Sequence, residues 1–538
     1  MKVLKIHITD FFKGILSLVI SQIFIKLFGV MYTLYITNKT GFGDEGNAIY
    51  MSGYQIYALL LTISSIGVPN AISKLISEKN SIGDYTNSKR IFQISVFIFS
   101  LVGCLGCILL FAFSGFIANT ILQIPESKLS LMVLSPAIFF VSITSVIRGF
   151  CNGENEIYVT AKSQFIEQVL KSLLTILFVE IVSRVTNYNT ELMATVANLA
   201  TTVATFCSLI YVIREYIDIN RKKFNINRIN FPKERIITIL KRVLTISIPI
   251  TTSAILSSLG KNVDSITVVR ILKNIIGEEK AILKYGILSS KVDTLIALPL
   301  SFNVAISTAL IPEISRKKAR NDLDGIIKKI NFSLLITILI SLPCTLGMCF
   351  FAKPIFLLLF PRATDGYSLL ALASFSIIFS LLTQTINGIL LGLGNNNIPV
   401  IASIMGLIVK ILSNIILIPF IFEKGAVIGN ILSSLVSFII VLIFLFKNIK
   451  LSFSLKEFII KPILANTIMI FLSLKTFEFL NFKNINYNVT TLISIIIAVI
   501  IYIFSCFLLK IFKKSETFES VENSGLQDSK SLKNLKNK

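Results

Sequence analysis

The sequence predicts an all-α, polytopic membrane protein of about 14 transmembrane helices, built as two pseudo-symmetric six-helix lobes plus two C-terminal helices. Three observations lead there. First, of 538 residues 54% are hydrophobic and only 15% charged, against roughly 25% charged in soluble domains, and mean hydropathy is +0.79. Second, apolar runs of about 20 residues, each long enough to cross a hydrocarbon core of about 30 Å, recur along the chain. Third, two short segments are echoed at nearly one offset. Ile72-Ser73-Lys74 in VPNAISKL returns as Ile314-Ser315-Arg316 in IPEISRKK, and GENEIYVTA (Gly153–Ala161) returns as GNNNIPVIA (Gly394–Ala402). A shared offset is the mark of internal duplication.

The runs lie near 12–37, 47–67, 91–113, 129–150, 157–183, 191–213, 249–270, 284–310, 328–351, 367–391, 398–420, 425–446, 457–479 and 489–512. Only helices and closed barrels satisfy backbone groups in lipid, and runs this apolar are helices. The first is too long for a signal-peptide core and lacks a small-residue cleavage site, so it reads as an uncleaved span. The expected units are an N-lobe (1–220), a cytoplasmic linker (221–248), a C-lobe (249–447), a last helix pair (455–512), and a disordered Ser/Asn/Lys-rich cytoplasmic tail (513–538). Within the linker, Lys233–Ile248 has apolar residues at helical spacing with interspersed bases, and reads equally as an interfacial helix or a solvated basic loop.

The net charge of +23 reflects the bias of cytoplasmic loops toward Lys and Arg rather than nucleic-acid binding, for which no aromatic-rich basic module is visible. With both termini inside, roughly 34 Lys and Arg fall on cytoplasmic segments and roughly 13 on the opposite side. Most of the seven cysteines lie within apolar runs. Cys104 and Cys107 form a C-x-x-C in mid-span, where packing is the expected role and thioredoxin-type chemistry is not. There is no Walker A sequence, no H-E-x-x-H and no G-x-S-x-G, so neither an enzyme nor ATP-driven transport is expected, and no cofactor or metal. The one histidine, His7, precedes the first span, which excludes a histidine proton relay in the membrane.

Ionisable groups inside spans are costly, at least about 2.5–3.5 kcal/mol on insertion scales, and face cavities or partners. Lys26 and Lys291 sit at similar depth, roughly 10–15 Å from the outer ends of their spans at 1.5 Å per residue, so two lysines from different lobes are placed to grip an anion. Lys291 snorkelling to the interface is the plainer alternative. Asp293 lies beside Lys291. The fifth run carries Lys162, Glu167 and Lys171. Glu167 and Lys171 are at i and i+4 and can pair, leaving Lys162 as an entry-side contact. Arg148, at the end of the fourth run, completes the candidate substrate-binding set. The seventh and eleventh runs carry Asp264 and Lys410, each a similar distance after a proline near the start of its span, so a pair across helices is feasible. Asn414 shares a face with Lys410.

IGVPNAISKLISE (Ile66–Glu78), SVIRGFCNGENEIYVTAKSQFIEQVLK (Ser145–Lys171) and ISTALIPEIS (Ile306–Ser315) resemble the stage V sporulation protein B and MurJ-like branch of the multidrug/oligosaccharidyl-lipid/polysaccharide exporter superfamily. The resemblance covers nearly the whole chain. It implies two six-helix lobes and a final helix pair that forms a groove for a lipid tail. A basic residue before L-x-G in the first helix matches Lys26, a second falls on the uncharged Thr33, a basic residue of the second helix has no counterpart in Ala48–Ile66, and the base of the eighth helix falls near Lys291. The implied cationic cavity is thinner than in MurJ-like proteins. Those proteins can hold sodium between the seventh and eleventh helices. Here Asp264 matches the acidic ligand, Lys410 stands where an oxygen-bearing residue is usual, and Asn414 where an acid is usual. A lysine cannot ligate sodium, so the expectation is a permanent or proton-responsive Asp264–Lys410 ion pair.

The function implied is a flippase in the bacterial cytoplasmic membrane for a polyprenyl-pyrophosphate-linked glycan, lipid II or a related precursor of wall or spore cortex. The lipid-linked oligosaccharide and membrane lipids are its expected partners, and cell-wall synthesis enzymes are candidate ones. Two alternatives stand beside it: a drug or cation exporter of the same superfamily, and a non-transporting scaffold of a wall-synthesis complex.

Overall fold

The computed structural model describes residues 24–25, 28–65, 67–154, 156–222, 232–319, 321–361, 365–395, 397–449, 456–509 and 511. All regular structure among them is helical. The first half comprises α1 (Phe28–Thr37), α2 (Gly43–Ser65), α3 (Gly67–Ser81), α4 (Tyr85–Ala112), the single turn α5 (Ser114–Phe116), α6 (Ser127–Gly153), α7 (Ile157–Val185) and α8 (Thr190–Lys222). Then come α9 (Ile236–Ile276) and α10 (Glu278–Gly286), which continues through a π-helical turn, Ile287–Val292, into α11 (Asp293–Ala319). The remainder is α12 (Leu323–Phe350), α13 (Ala352–Leu359), α14 (Tyr367–Ala373), α15 (Phe375–Gly392), α16 (Asn397–Ile421), α17 (Glu423–Asn448), α18 (Lys461–Phe482) and α19 (Tyr487–Leu508).

Among the described residues the predicted apolar runs are helical, the first from residue 28 onward and the last as far as Leu508, and the run 367–391 is divided between α14 and α15. Among the described residues, nine helical stretches are long and apolar enough to cross a membrane. Their outward faces are greasy: Phe97, Leu105 and Ile108 on α4, and Ile496 and Phe504 on α19, are all exposed. That arrangement suits lipid, which removes the need to hide apolar side chains. Cys104 and Cys107 are free thiols in the last third of α4.

The duplication seen in the sequence is carried by packing. A Cβ on Gly149 would lie 3.1 Å from Cβ of Ile72, and one on Gly392 would lie 2.9 Å from Cβ of Ile314. The two isoleucines are the echoed residues, and each seats a helix against a glycine of the same half. The second echo also has one structural meaning, because α7 and α16 both begin within it.

The halves are joined unequally. At the end where α2 begins, one apolar core takes residues from both: Ile36, Phe42, Ile49 and Tyr50 with Tyr285, Leu288, Phe356 and Leu370. At the opposite end the cores are separate. One contains Ile72, Ile76, Phe92 and Phe150, and the other Ile314, Ile330, Ile386 and Ile389.

α9 crosses between them. It is 41 residues long, about 60 Å at 1.5 Å per residue. The stretch that read equally as an interfacial helix or a solvated basic loop, 233–248, forms the first turns of this helix from Ile236, and the helix runs on without a break at Pro249. Ile239 and Val243 lie in the first half's core, while Val268, Val269 and Leu272 lie in the joint core. A polar knot roots the start of α9. The Asn87 side chain donates to the carbonyl of Pro232 (2.9 Å) and accepts from the Glu234 amide (2.9 Å). Lys79 pairs with both Glu234 and Asp84, and Asp84 also caps α4 by accepting from the Asn87 amide at 3.0 Å. Burial pushes the Asp84 carboxyl up, but hydrogen bonds from Asn87 and Lys79 outweigh it and hold it below the usual carboxylate range. That stabilisation is present above the unfolded pKa of about 3.9 and is lost as pH falls through the folded value.

Candidate functional site

Three clusters of charge are buried between helices, and each uses residues picked out in the sequence. The first closes the end where the halves share a core. Lys291 projects from the π turn between α10 and α11 and is 0% exposed. Its Nζ lies 2.7 Å from Oδ1 and 2.9 Å from Oδ2 of Asp44, in the first turn of α2. It also donates to the Asp365 carbonyl at 3.4 Å and lies 5.6 Å from the centre of the Phe360 ring. π turns inside helices recur at functional sites, because the extra residue re-aims a side chain. The backbones meet beside this pair: a Cβ on Gly286 would lie 2.0 Å from the Asp44 carbonyl oxygen. Only glycine permits that approach. Lys291 therefore bridges the two halves through a carboxylate. Asp293 opens α11, half-buried. Lys26, the expected partner of Lys291 in gripping an anion, lies outside the described residues.

The second cluster runs along α7. Arg148 donates to Glu167 (2.9 Å), to Ser163 Oγ (2.8 Å) and to Ser208 Oγ (3.0 Å). Glu167 thus pairs with Arg148 of α6, where the sequence suggested Lys171. Lys171 is buried and stands over aromatic faces, its Nζ 3.8 Å from the ring centre of Tyr54 and 5.4 Å from that of Tyr32. Cation–π attraction strengthens when the pair is desolvated, and here it replaces the i, i+4 ion pair. Lys162 is exposed and lies 5.3 Å from the Tyr211 ring centre. Near the far end of α7, Glu180 accepts from Tyr35 at 2.7 Å and pairs with Lys39 and Arg184.

The third cluster joins α9, α16 and α17. Lys410 Nζ is 2.7 Å from Asp264 Oδ2. Asn414 donates to Asp264 Oδ1 (3.0 Å) and to Thr267 Oγ1 (2.8 Å), and Asn430 donates to Asp264 Oδ2 (3.2 Å). Each of these three side chains meets the carboxylate through a donor. Sodium needs oxygen ligands, and the space beside Asp264 holds an ammonium and two amide N–H groups. With the Lys410 ammonium against the carboxylate, the site does not fit a sodium ion. Asn430 was missed in the sequence because an asparagine in a span resembles many others. Asp44 was missed because an acid in a first helical turn is ordinary.

A family of polysaccharide biosynthesis proteins matches residues 11–318, more than half of the chain. The chain belongs to this family. A second family, MatE, matches residues 249–416 of this polysaccharide biosynthesis protein family member. Among curated Bacillus subtilis (strain 168) proteins, the lipid II flippase MurJ is 21% identical over 79% of this chain and 80% of its own length. Stage V sporulation protein B is 29% identical, with the match spanning 30% of this chain and 31% of that protein. Among solved structures, lipid II flippase MurJ in an inward closed conformation aligns with a TM-score of 0.69, covering 91% of this chain and 98% of that one at 18% identity. An inward-facing MATE-family multidrug resistance transporter of the MOP superfamily aligns with a TM-score of 0.66, covering 80% and 98% at 14% identity. This member of the family therefore has the MurJ and MATE transporter fold, and it is a multi-span membrane protein.

Proposed function

We propose that this protein is a flippase, moving a polyprenyl-pyrophosphate-linked glycan such as lipid II or a related wall precursor across the cytoplasmic membrane by alternating access. The observation that carries this reading is the unequal joining of the halves. One end is sealed by a shared core, the Asp44–Lys291 bridge and the Gly286 contact, while at the other each half keeps a core of its own. Such a molecule opens toward one side at a time when its halves rock about α9. A charged, sugar-bearing head needs that route through hydrocarbon, while its lipid tail stays in the membrane beside α18 and α19. Lysines act as point charges for phosphate, which is the role assigned to Lys26. The protein works as a transporter and not as an enzyme. The kinship with MurJ over four-fifths of its length supports the substrate class.

The experiment is complementation of a flippase-deficient bacterium. Wild type is expected to restore growth, Lys26→Ala to fail, and Lys26→Arg to retain more function than the alanine. Normal growth with Lys26→Ala would remove the anion grip from the mechanism.

The sealed end is external on this reading, with both termini inside. A cysteine at Asn225 is then expected to be shielded from impermeant reagents in intact cells, and one at Asn481 to label. The reverse pattern would overturn the orientation. The MatE match over residues 249–416 favours a second reading, a cation exporter. Against it stands Asp264, the buried carboxylate such a route would use, which is already held by Lys410.

A further inference from the structure

At the end where the halves keep separate cores, α9 starts beside the start of α4. Asn87 bonds to both Pro232 and Glu234, and the apolar run of α4 begins one turn further on, at Ile91. Ile239 and Val243 of α9 share a core with Phe92 and Phe99 of α4. The first turns of α9 therefore lie at the depth where α4 enters hydrocarbon. On the face of α9 turned away from that core, Ile237, Leu244 and Ile248 are all exposed, Ile237 by 78%. From Ile237 to Ile248 this aliphatic stripe is about 16 Å long at 1.5 Å per residue, close to half of a hydrocarbon core of about 30 Å. Lys241 lies within it, four residues after Ile237.

Charge around the head of the stripe is one-sided. Residues 67–90 and 232–248 cover α3, the start of α4 and the start of α9, and they hold eight Lys and Arg against three Asp and Glu. The three acids are already engaged. Lys79 pairs with Asp84 and Glu234, Arg242 with Glu234, and Lys74 with Glu78. Lys233, Arg235 and Lys241 are exposed and form no ion pair among the described residues. An apolar stripe one leaflet long, headed by unpaired bases, is complementary to a phospholipid with a net negative head. Lys241 can reach the head-group level along its own methylene stem, and the Arg235 guanidinium offers a fork of donors to a phosphate. A zwitterionic phospholipid would bring a further cation to a site already rich in them.

We propose that an anionic phospholipid docks on the start of α9, with its phosphate among Lys233, Arg235 and Lys241 and its acyl chains along Ile237, Leu244 and Ile248. This lipid is a bound partner rather than cargo, so the site stands whatever the chain transports. Because α9 is the helix that crosses between the halves, the docked lipid holds the first-half end of that crossing in place against α3 and α4.

The chain contains no tryptophan, so Ile248→Trp places a single reporter at the deep end of the stripe. With the purified full chain in liposomes, dibrominated phosphatidylglycerol is expected to quench this tryptophan with a relative binding constant at least about threefold above that of dibrominated phosphatidylcholine, as a cluster of surface bases implies. Adding Lys233→Gln, Arg235→Gln and Lys241→Gln is expected to abolish the preference. Ile496→Trp, on the exposed face of α19, is expected to show no preference. Equal quenching by the two lipids at Ile248→Trp overturns the proposal. So does a preference that survives the triple change, or an equal preference at Ile496→Trp, which would trace it to the net charge of the whole chain. Should the triple variant fail to fold, Lys241→Gln alone reads the same site: a reduced preference is expected, and an unchanged one contradicts the proposal.

Discussion

Lys410→Ala and Asp264→Ala are each expected to be severely impaired, while the double variant is milder than either. The reason is burial. Both side chains are about 6% exposed with their charged atoms 2.7 Å apart, and removing one member of a buried pair strands the other at a penalty of about 3–5 kcal/mol. Removing both relieves that penalty, leaving the Asn414 and Asn430 amides to find new acceptors. The measurements are the amount of folded protein in detergent-solubilised membranes and transport per folded molecule. Additive losses would show that the two charges do not depend on one another. The same geometry gives a second outcome: transport is expected to be indifferent to external sodium at fixed membrane potential. A rise with sodium would mean that Lys410 leaves the site during the cycle and that oxygen ligands replace it.

Gly286→Leu is expected to hold the sealed end open. A Cβ alone at this position would stand 2.0 Å from the Asp44 carbonyl oxygen, so a larger side chain forces α10 and α2 apart. Overpacking of this kind costs about 1–3 kcal/mol, enough to shift the closed population roughly 5- to 160-fold, at 1.36 kcal/mol per factor of ten. Ser290, in the π turn that follows Gly286, is 0% exposed and reports the change. In a chain whose native cysteines are replaced, Ser290→Cys is expected to resist impermeant thiol reagents when residue 286 is glycine. With Gly286→Leu it is expected to react, and transport to fall by a similar factor. Continued protection with normal transport would mean that the glycine contact is not part of the seal.

The helices were legible because lipid forces apolar runs into helices, and the two lobes because a pair of isoleucines at a fixed offset does the same packing job twice. The Asp264–Lys410 pair was legible from depth, which made it feasible because each residue follows a proline at the start of its span by a similar distance, together with the family resemblance, which set the two residues at one site. Other charges were not readable in this way. Lys291 and Asp44 are 247 residues apart, and nothing local in either segment announces the other. Glu167 and Lys171 share a helix face, yet Arg148 approaches from α6 with more donors than a lysine and takes the carboxylate, while tyrosines from α1 and α2 receive the ammonium. Spacing along one helix shows which side chains are neighbours on that helix. It does not show what a second helix will offer them. The continuity of α9 was hidden for a related reason. Pro249 reads as a helix start in isolation, but Ile239 and Val243 are buried in the first half's core and hold the preceding turns in line.

The central claim is that this chain turns a lipid-linked glycan over by opening one end at a time. Purified wild-type protein in liposomes containing a labelled polyprenyl-pyrophosphate-linked disaccharide tests it most directly, read as the fraction of head groups reached by an impermeant reagent over time. The account expects head groups to cross well above the rate in protein-free liposomes, without sodium, and to cease crossing with Gly286→Leu. Head groups that stay on their original side with wild type, or that cross as fast with Gly286→Leu as without it, would contradict it.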